Sequence, residues 1–292
     1  MELFYNVIDN KYVNIKDVLK NHFNMSDKLI AKLKREKKIF LNNENVYVTK
    51  ILNCNDILKI DLNFEEDSDN IIPTKINLNI LYEDEWLLIV DKPPFLPVHP
   101  SCNYYNNNLS SGIKYYYLSK KLNFMIRPVN RLDKDTSGIV VFAKSQYIQE
   151  ALIKQMKTNN FKKEYIAILE GNFEQDFIRV NAPICRKENS IIERQVSDVG
   201  AVSITDFYVL KRYSKNTLVK CNLLTGRTHQ IRLHSKHIGH SIIGDSLYGK
   251  KSDLINRQAL HSNKIEFIHP ITKKQIIINS QTPEDIKRLL HD

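Results

Sequence analysis

Short apolar runs bounded by turn residues dominate this chain, and few helical patterns separate them. Runs rich in β-branched and aromatic residues are typical of strands. A clear helical pattern, "SQYIQEALIKQM", begins with Ser145 as its N-cap, and a last helix is predicted with Thr282 as its N-cap and Pro283 at its first position. A doubly wound fold needs more helices between its strands than this. The pattern therefore predicts an α+β fold on a mostly antiparallel mixed β-sheet flanked by helices.

The beginning of the chain has a different pattern, and we expect it to form a small α/β unit. A helix is predicted from Asp27 to about Lys37, because Ser26 is a good N-cap and apolar residues follow at helical spacing. An Asn42-Asn43 turn then joins two strands within "IFLNNENVYV", the second ending near Val48. The stretch "DILKIDL" predicts a third strand.

Basic side chains crowd the surface of this first helix and the residues after it. They are expected either to contact RNA phosphates or to form a solvated helix face. The acidic, polar stretch "FEEDSDN" predicts a linker at 64–76, between a first domain at 1–63 and a larger second domain at 77–292. The basic residues are Lys34, Arg35, Lys37 and Lys38.

The charge of the chain indicates an anionic partner. The formal net charge is +10 over 292 residues, and the cations are interleaved with acidic residues rather than gathered on one basic amphipathic stripe. This distribution favours nucleic acid over a membrane surface. No apolar run approaches the roughly 20 residues of a membrane span. The four cysteines are scattered without a CxxC pair, which predicts reduced thiols in a cytoplasmic protein and no disulfide or zinc framework.

The stretch "RPVNRLDKDTSGIVVFAK" places a carboxylate, Asp133, between Arg131 and Lys134, just before a tight turn and a strand. Cations close to a carboxylate stabilise its charge, and loops braced by a strand often carry catalytic groups. The residues alone leave two interpretations open, a surface ion pair and a group held ionised for chemistry. Paired hydrolytic carboxylates with Asp135 are disfavoured, because the turn prevents an extended segment.

A second polar cluster, "TGRTHQIRLHSKHIGH", begins a helix near Thr228. A helix N-terminus beside basic residues is a ready anion site. Zinc is disfavoured, because the histidine spacing matches no standard site and no cysteine lies within it. In "KKEYIAILEG", Lys163 and Tyr165 share one face of a strand, which suits packing or stacking on a nucleobase. The helix candidates for RNA contacts are Arg227, Thr228, His229 and Gln230.

Seven stretches of the chain resemble, in the same order, the motifs of RluA/RluD-type pseudouridine synthases. They are "LYEDEWLLIVDKP", "NRLDKDTSG", "KKEYIAILEG", "AVSITDFYVL", "TGRTHQIRLH", "GDSLYG" and "ALHSNKIEFIHP". The resemblance covers about residues 78–270. Each motif alone is weak, but their common order is specific. Residues 14–61 resemble an S-four-type RNA-binding domain, an arrangement known in this family.

The resemblance implies roles for matching positions. Asp133 corresponds to the catalytic aspartate, Tyr165 to the active-site tyrosine and Arg232 to the arginine that pairs with the aspartate. Arg131 matches a residue that contacts RNA around the extruded nucleotide, and Lys163 is a further candidate RNA contact. The implied reaction needs no cofactor and no metal. The expected partner is large-subunit ribosomal RNA, with transfer RNA as the alternative, and we expect a monomer.

Three positions depart from the family pattern. Asn130 stands where the family usually has His, Phe95 where it favours Gly, and Asn55 where the S-four-type domain often has Gly. We expect altered loop contacts at Asn130 with activity retained. Two other classes of function stay open at this point. One is a non-catalytic RNA-binding protein built from the same parts, and the other is a glycosidase.

Overall fold

The computed structural model of the chain describes residues 1–65, 68 and 70–290. Two main sheets form the fold, one of four strands within residues 2–61 and one of ten strands within residues 79–279. The predicted linker 64–76 and the predicted end of the second domain at residue 292 lie partly outside the described residues. The domain boundaries therefore stay predictions.

The N-terminal unit is a four-stranded antiparallel sheet with helices packed on it. Ser26 caps the second helix as predicted, its Oγ accepting from the Leu29 amide (3.1 Å). That helix ends at Arg35, two residues earlier than expected, because Lys37 adopts a positive φ of 53°. The elements are β1 (Glu2–Asn6), α1 (Ile15–Asp17, continuing as a π-helical turn Val18–His22), α2 (Asp27–Arg35), β2 (Ile39–Leu41), β3 (Glu44–Asn45) and β4 (Ile57–Asp61), with sheet order β1-β4-β2-β3.

The predicted Asn42-Asn43 turn is present between β2 and β3. Both residues have positive φ, 51° and 69°, which is the requirement of a two-residue type I′ hairpin. The second strand is shorter than expected and ends at Asn45 instead of near Val48. The Asn45 side-chain amide donates to the carbonyls of Lys37 and Ile39 (2.8 and 3.0 Å), which ties the end of the strand to the chain before β2.

The large sheet carries the rest of the chain and is mostly antiparallel. Its strands are β5 (Asn79–Glu83), β6 (Leu87–Lys92), β7 (Arg127–Pro128), β8 (Ser137–Ala143), β9 (Lys162–Glu170), β10 (Phe177–Asn181), β13 (Ile204–Arg212), β14 (Asn216–Leu223), β15 (Leu260–Ile268) and β16 (Gln275–Asn279); β11 (Ile184–Arg186) and β12 (Arg194–Val196) form a separate hairpin. The strand order in the large sheet is β10-β13-β14-β9-β15-β8-β6-β5, with β16 beside β15 and β7 beside β8, and β8 pairs with β15 in parallel.

Helices flank this sheet, so the predicted α+β fold is confirmed. The predicted helix after Ser145 is present, whereas the sequence did not predict the helix capped by Asn108. The last helix begins one residue later than expected, because Pro283 is extended (ψ 152°) and its carbonyl accepts from the Ile286 amide (3.1 Å). The helices are α3 (Leu109–Ser119), α4 (Gln146–Lys157), α5 (Gln230–His237) and α6 (Glu284–Lys287), followed by a 3₁₀ turn (Arg288–Leu290).

The N-terminal unit and the large sheet share one hydrophobic cluster. Leu29 of α2 and Ile60 of β4 belong to the same group of buried side chains as Leu87 and Ile89 of β6 and Leu152 of α4. The apolar surface buried between them attaches the first unit to one face of the large sheet. A second cluster covers the other face of β6 and β8. Among the described residues, no helix is long and apolar enough to span a membrane.

Candidate active site

The stretch around Asp133 forms a loop between β7 and β8. The Thr136 amide donates to the Asp133 carbonyl (3.1 Å), so the chain turns tightly before it enters β8. Gly138 has φ +116°, and a Cβ atom there would come within 2.2 Å of the Ser262 carbonyl oxygen on β15. Glycine is required by this close approach of two backbones. The predicted turn is thus present, and Asp133 lies just before a strand whose residues are all buried.

Buried side chains from two other segments hold the Asp133 loop, which we define as residues 131–138, through two backbone carbonyls and one hydroxyl. None of these side chains was assigned a role from the sequence, although Lys92 lies within the motif "LYEDEWLLIVDKP". Each one satisfies a polar group of the loop that would otherwise lack a partner. The contacts run from Lys92 Nζ to the Lys134 carbonyl (2.9 Å), from Arg257 Nη1 to the Asp135 carbonyl (3.3 Å) and from Gln258 Nε2 to Thr136 Oγ1 (3.0 Å).

Lys92 is fully buried at the end of β6, where burial lowers its pKa to about 7. Its Nζ also donates to the carbonyls of Pro93 (2.8 Å) and Leu96 (2.9 Å), so it has three carbonyl acceptors in all. An ammonium group has three N–H donors, and these acceptors match all of them. Phe95 within this segment has a positive φ of 63°, a conformation that Gly adopts without steric cost.

Asn130, the other unusual residue, has a defined structural role. Its side chain is buried, donates to the Ile139 carbonyl (3.0 Å) and accepts from the Val141 amide (2.8 Å). Both partners belong to β8, so Asn130 fixes the start of the Asp133 loop against the strand that follows it. The loop contacts of Asn130 are therefore hydrogen bonds to the backbone, and retained activity at this position stays a prediction.

Helix α5 brings Arg232 to the Asp133 loop. Arg232 Nη1 donates to Asp133 Oδ2 (3.0 Å), while its other two nitrogens form a bidentate pair with buried Asp245 (2.7 and 2.8 Å). Burial alone would lower the pKa of Arg232, but the hydrogen bonds and charges of the two carboxylates outweigh burial and raise it. The same pairing lowers the pKa of Asp245 in spite of its burial. Asp245 lies in the motif "GDSLYG" but was not predicted as a partner of Arg232.

His229 precedes α5 in a left-handed conformation (φ 58°), so the helix begins at Gln230 and not near Thr228 as expected. This geometry directs His229 Nε2 to within 3.7 Å of Asp133 Oδ2. Its Nδ1 lies 2.8 Å from the Tyr248 hydroxyl, and burial lowers its pKa. A neutral His229 that accepts from Tyr248 carries its proton on Nε2, the nitrogen nearest the carboxylate.

Gln230 has an architectural role. Its side-chain oxygen accepts from the Arg227 amide (2.9 Å) and from Thr225 Oγ1 (2.8 Å), while its amide donates to the Ile204 carbonyl (2.9 Å). This buried side chain therefore fixes the turn before α5 and leaves little capacity for an RNA contact. Arg227 is exposed, and its Nε donates to the Val202 carbonyl (3.2 Å).

Strand β9 contributes two further side chains to the site, Tyr165 and Lys163. Tyr165 is buried there, and burial together with the charge of Asp133 raises its pKa, so the side chain is a neutral phenol at physiological pH. Lys163 is on the same face two residues earlier, as predicted, and burial lowers its pKa. Its Nζ lies close to Gly226, where an added Cβ would be only 3.1 Å away.

Side chains of the Asp133 loop, of β9 and of the turn and first residues of α5 line one cavity of about 820 Å³, which is large enough for an extruded nucleotide. Nine of the predicted site residues line it. The four basic residues of the N-terminal unit, Lys34, Arg35, Lys37 and Lys38, do not. The residues that line the cavity are Arg131, Asp133, Lys163, Tyr165, Arg227, Thr228, His229, Gln230 and Arg232.

The histidines of α5 do not form a metal site. His234 is fully buried, with Nδ1 2.8 Å from Thr205 Oγ1 and Nε2 2.9 Å from the Ala182 carbonyl. Within the part of the chain that the structure describes, no group of three or more His, Cys, Asp or Glu side chains could hold a metal ion.

Comparison with known proteins identifies the family to which this chain belongs. Residues 86–237, about half of the chain, match the family described as RNA pseudouridylate synthase. "Uncharacterized RNA pseudouridine synthase YhcT" of Bacillus subtilis (strain 168) is 38% identical over 274 residues, which cover 93% of this chain and 90% of that protein. The chain belongs to the RNA pseudouridylate synthase family. It is an enzyme, an isomerase, so a non-catalytic RNA-binding protein and a glycosidase are both excluded.

Other relatives support the RluA/RluD-type assignment of this synthase. "Ribosomal large subunit pseudouridine synthase D" of Buchnera aphidicola subsp. Schizaphis graminum (strain Sg) is 37% identical, covering 75% of this chain and 74% of that protein. Among solved structures, "Human RNA Pseudouridylate Synthase Domain Containing 1" has a TM-score of 0.58 at 23% identity, covering 75% of this chain and 87% of that chain. The structural likeness shows the fold of the synthase.

Proposed function

We propose that this synthase isomerises specific uridines in structured RNA, with large-subunit ribosomal RNA as the target and Asp133 as the nucleophile. The contact of Asp133 with Arg232 at 3.0 Å, inside a cavity that Tyr165 also lines, carries the proposal. Arg232 is itself fixed by two hydrogen bonds to Asp245, so the carboxylate is placed before substrate arrives. Such preorganised charge is a large source of catalysis.

The chemistry follows from the isomerisation itself. A carboxylate oxygen of Asp133 attacks ribose C1′, the N1–C1′ bond breaks, and its electron pair leaves with the base. The base turns in the cavity, C5 attacks C1′, and the bond to the carboxylate breaks. The proton on C5 is then lost and N1 gains one, so the atoms balance without any co-reactant. Because the reacting atoms are hidden in a base stack, the uridine must first be extruded.

Tyr165 suits the last step as a neutral phenol. It stacks on the base, and its hydroxyl oxygen takes the C5 proton as its own proton passes to solvent water. Arg131 is exposed at the cavity mouth, where it can take the place of the extruded nucleotide or contact its phosphate. We assign Lys163, Arg227, Thr228 and His229 to RNA binding as well, and Gln230 to the support of their turn.

The N-terminal unit is proposed to act as an S-four-like RNA-binding domain. Lys34, Arg35 and Lys37 are near the surface of α2 and the turn after it, whereas Lys38 forms an ion pair with Asp61 (2.7 Å). Asn55 adopts φ 74°, the conformation for which that domain often uses Gly. The names of several relatives, ribosomal large subunit pseudouridine synthase D, support ribosomal RNA as the target. We further propose that the synthase works in the cytoplasm as a monomer, which fractionation and light scattering would test.

The test is the Asp133→Asn variant, with Asp135→Asn as the matched control from the same loop. Ribosomal and transfer RNA from cells that lack the synthase is incubated with each variant, and pseudouridines are mapped by carbodiimide labelling and sequencing. We expect Asp133→Asn to lower activity by at least about 10⁴-fold and Asp135→Asn to keep most of it. Activity retained in Asp133→Asn would disprove the nucleophile. If pseudouridines formed only in transfer RNA, the proposed ribosomal target would be wrong and transfer RNA would be the substrate.

A further inference from the structure

A second pocket lies next to the active-site cavity, and we call it the hairpin pocket. It has a volume of about 340 Å³ and is bounded by the β11–β12 hairpin on one side and by α5 on the other. Its apolar lining comes from Val196, Leu233, Leu247 and the ring of Tyr248, and its cationic rim from Lys187, Arg194 and Lys236.

The rim carries unneutralised positive charge. Lys187 is paired with Glu193 (2.5 Å), but among the described residues neither Arg194 nor Lys236 has a carboxylate within ion-pair distance. Lys236 is exposed on the last turn of α5, with its Nζ 6.0 Å from the Tyr248 ring centroid. The pocket therefore attracts an anion to its rim while it offers an apolar and aromatic surface inside.

This combination suits one nucleotide. A nucleobase packs on apolar and aromatic side chains, and cations at the rim bind its phosphate. A volume of about 340 Å³ is at the small end of the roughly 300–1,000 Å³ of ligand pockets, so it fits one nucleotide and not a longer strand.

Tyr248 connects this pocket with the active site. Its hydroxyl lies 2.8 Å from His229 Nδ1 and accepts from the Arg194 amide (2.8 Å), so one side chain contacts both sites. The Arg232 guanidinium lies 5.1 Å from the Tyr248 ring centroid. A ligand in the hairpin pocket would therefore rest against the residue that orients His229 beside Asp133.

We propose that the hairpin pocket binds a nucleotide of the substrate RNA that flanks the target uridine. The proposal rests on the proposed function, since it assumes that the uridine occupies the neighbouring cavity. The hairpin pocket would then be a second RNA-binding site of the synthase, beside the cavity that holds the uridine. Correct occupancy would hold Tyr248 and His229 in place, and an RNA that cannot place a nucleotide there would be bound less tightly.

The test uses binding to a 12-nucleotide oligoadenylate, which contains no uridine, and to an oligomer of equal length with stable abasic residues. Fluorescence anisotropy compares the wild type with Lys236→Ala, Arg194→Ala and Val196→Trp. Lys250→Ala is the matched control, because Lys250 is exposed and lies outside the pocket lining. We expect Lys236→Ala and Arg194→Ala each to weaken oligoadenylate binding about tenfold, and Lys250→Ala to change it less than about twofold.

Val196→Trp, which fills the pocket, should remove most of the preference for oligoadenylate over the abasic oligomer. If it misfolds, the exposed Lys236→Ala variant still decides. Equal effects of Lys236→Ala and Lys250→Ala would overturn the pocket while leaving the assignment of Asp133 intact. Selective weakening by Lys236→Ala, in a synthase whose Asp133→Asn variant stays active, would instead support the pocket and disprove the proposed nucleophile.

Discussion

The Asp133 loop and the basic surface of α2 are both rich in charge, but the two regions use it differently. In the loop, backbone carbonyls are held by buried Lys92 and Arg257, and the Asp133 carboxylate, our proposed nucleophile, is held by buried Arg232. On α2, Lys34 and Arg35 are exposed to solvent. Buried charges with fixed partners act through geometry, whereas exposed charges act through a screened field.

This difference between buried and exposed charge shows which function needs a precisely placed side chain. The proposed mechanism requires a carboxylate placed to a fraction of an ångström, and a packed interior holds a side chain that closely. Capture of RNA requires only positive potential over a surface, which mobile side chains provide. Substitutions in the first region should therefore alter stability and turnover together. Those in the second should alter only RNA binding and its salt dependence.

The largest effect on stability is expected from Asp245→Asn. It removes one charge of a buried pair, which costs about 3 kcal/mol of unfolding free energy, and it loosens Arg232 so that kcat falls at least about 100-fold. The pKa of Asp245 is lowered in the fold, so its stabilisation is complete above the unfolded-state pKa and disappears as pH falls through the folded-state pKa. Urea unfolding should show the difference from wild type at pH 7 and a smaller one at acidic pH.

The matched control is Asp206→Asn. Asp206 also forms a bidentate pair, with Arg179 (2.6 and 2.7 Å), but that arginine is 55% exposed. We expect a much smaller loss of stability and unchanged kcat. Because Asp206 is itself buried, an equal effect of the two substitutions would show that the exposure of the arginine partner does not decide the loss of stability.

The next effect tests whether the C-terminal helix supports the Asp133 loop. Asp285 holds Arg257 through two hydrogen bonds (2.7 and 2.9 Å), and Arg257 in turn holds the loop. Asp285→Ala should cost about 2 kcal/mol and lower kcat about tenfold with KM unchanged. Denaturation and steady-state kinetics measure both quantities. Glu284→Ala, at the neighbouring position, should leave both unchanged, and a rise in KM alone for Asp285→Ala would refute the role in positioning.

Local sequence chemistry predicted much of the fold. Ser26 and Ser145 are both N-caps as expected, and the Asn42-Asn43 turn has the backbone that its residues favour. These signals act within a few residues of the chain, so a sequence displays them directly. The helix α3 was missed because "LSSGIKYYYLS" combines three tyrosines with a glycine and lacks a clear apolar face.

Long-range partners were harder to predict. The family resemblance brought Asp133, Tyr165 and Arg232 into one cavity, and the structure places all three there. Lys92 was missed because its partners are backbone carbonyls that carry no mark in the sequence. Arg257 was missed because it combines such carbonyls with a carboxylate, Asp285, that is 28 residues away. A fully buried lysine or arginine becomes visible only when burial is known.

A smaller and opposite effect is expected at Phe95. Its positive φ of 63° costs a residue with a Cβ atom roughly 1 kcal/mol, and its side chain is 49% exposed, so its removal sacrifices little packing. Phe95→Gly should raise the unfolding free energy by up to about 1 kcal/mol. Phe95→Leu keeps the Cβ atom and serves as the control. A loss of stability in Phe95→Gly would show that the ring packs more strongly than its exposure indicates.

The smallest effect on stability is expected on α2, where the charged side chains are exposed and differ most from the buried ones that hold the Asp133 loop. Replacing Lys34, Arg35 and Lys37 together by Ala should leave the unfolding free energy within about 0.5 kcal/mol and kcat unchanged. RNA affinity should fall, and the slope of log affinity against log salt should decrease by about 0.9 for each phosphate that the variant no longer neutralises. Anisotropy across a salt series measures both.

Lys38 provides the control within the same set. Because it is paired with Asp61, Lys38→Ala should lower stability slightly and change the salt slope less than Lys34→Ala does. Substitution is a cleaner test than deletion of residues 1–63, since that deletion would expose the apolar face of β6 that the N-terminal unit covers. If the salt slope of the triple variant equals that of the wild type, RNA does not contact α2. RNA binding would then depend on the cations at the Asp133 cavity. Binding and chemistry would in that case both depend on this one region, and not on two separate charged regions.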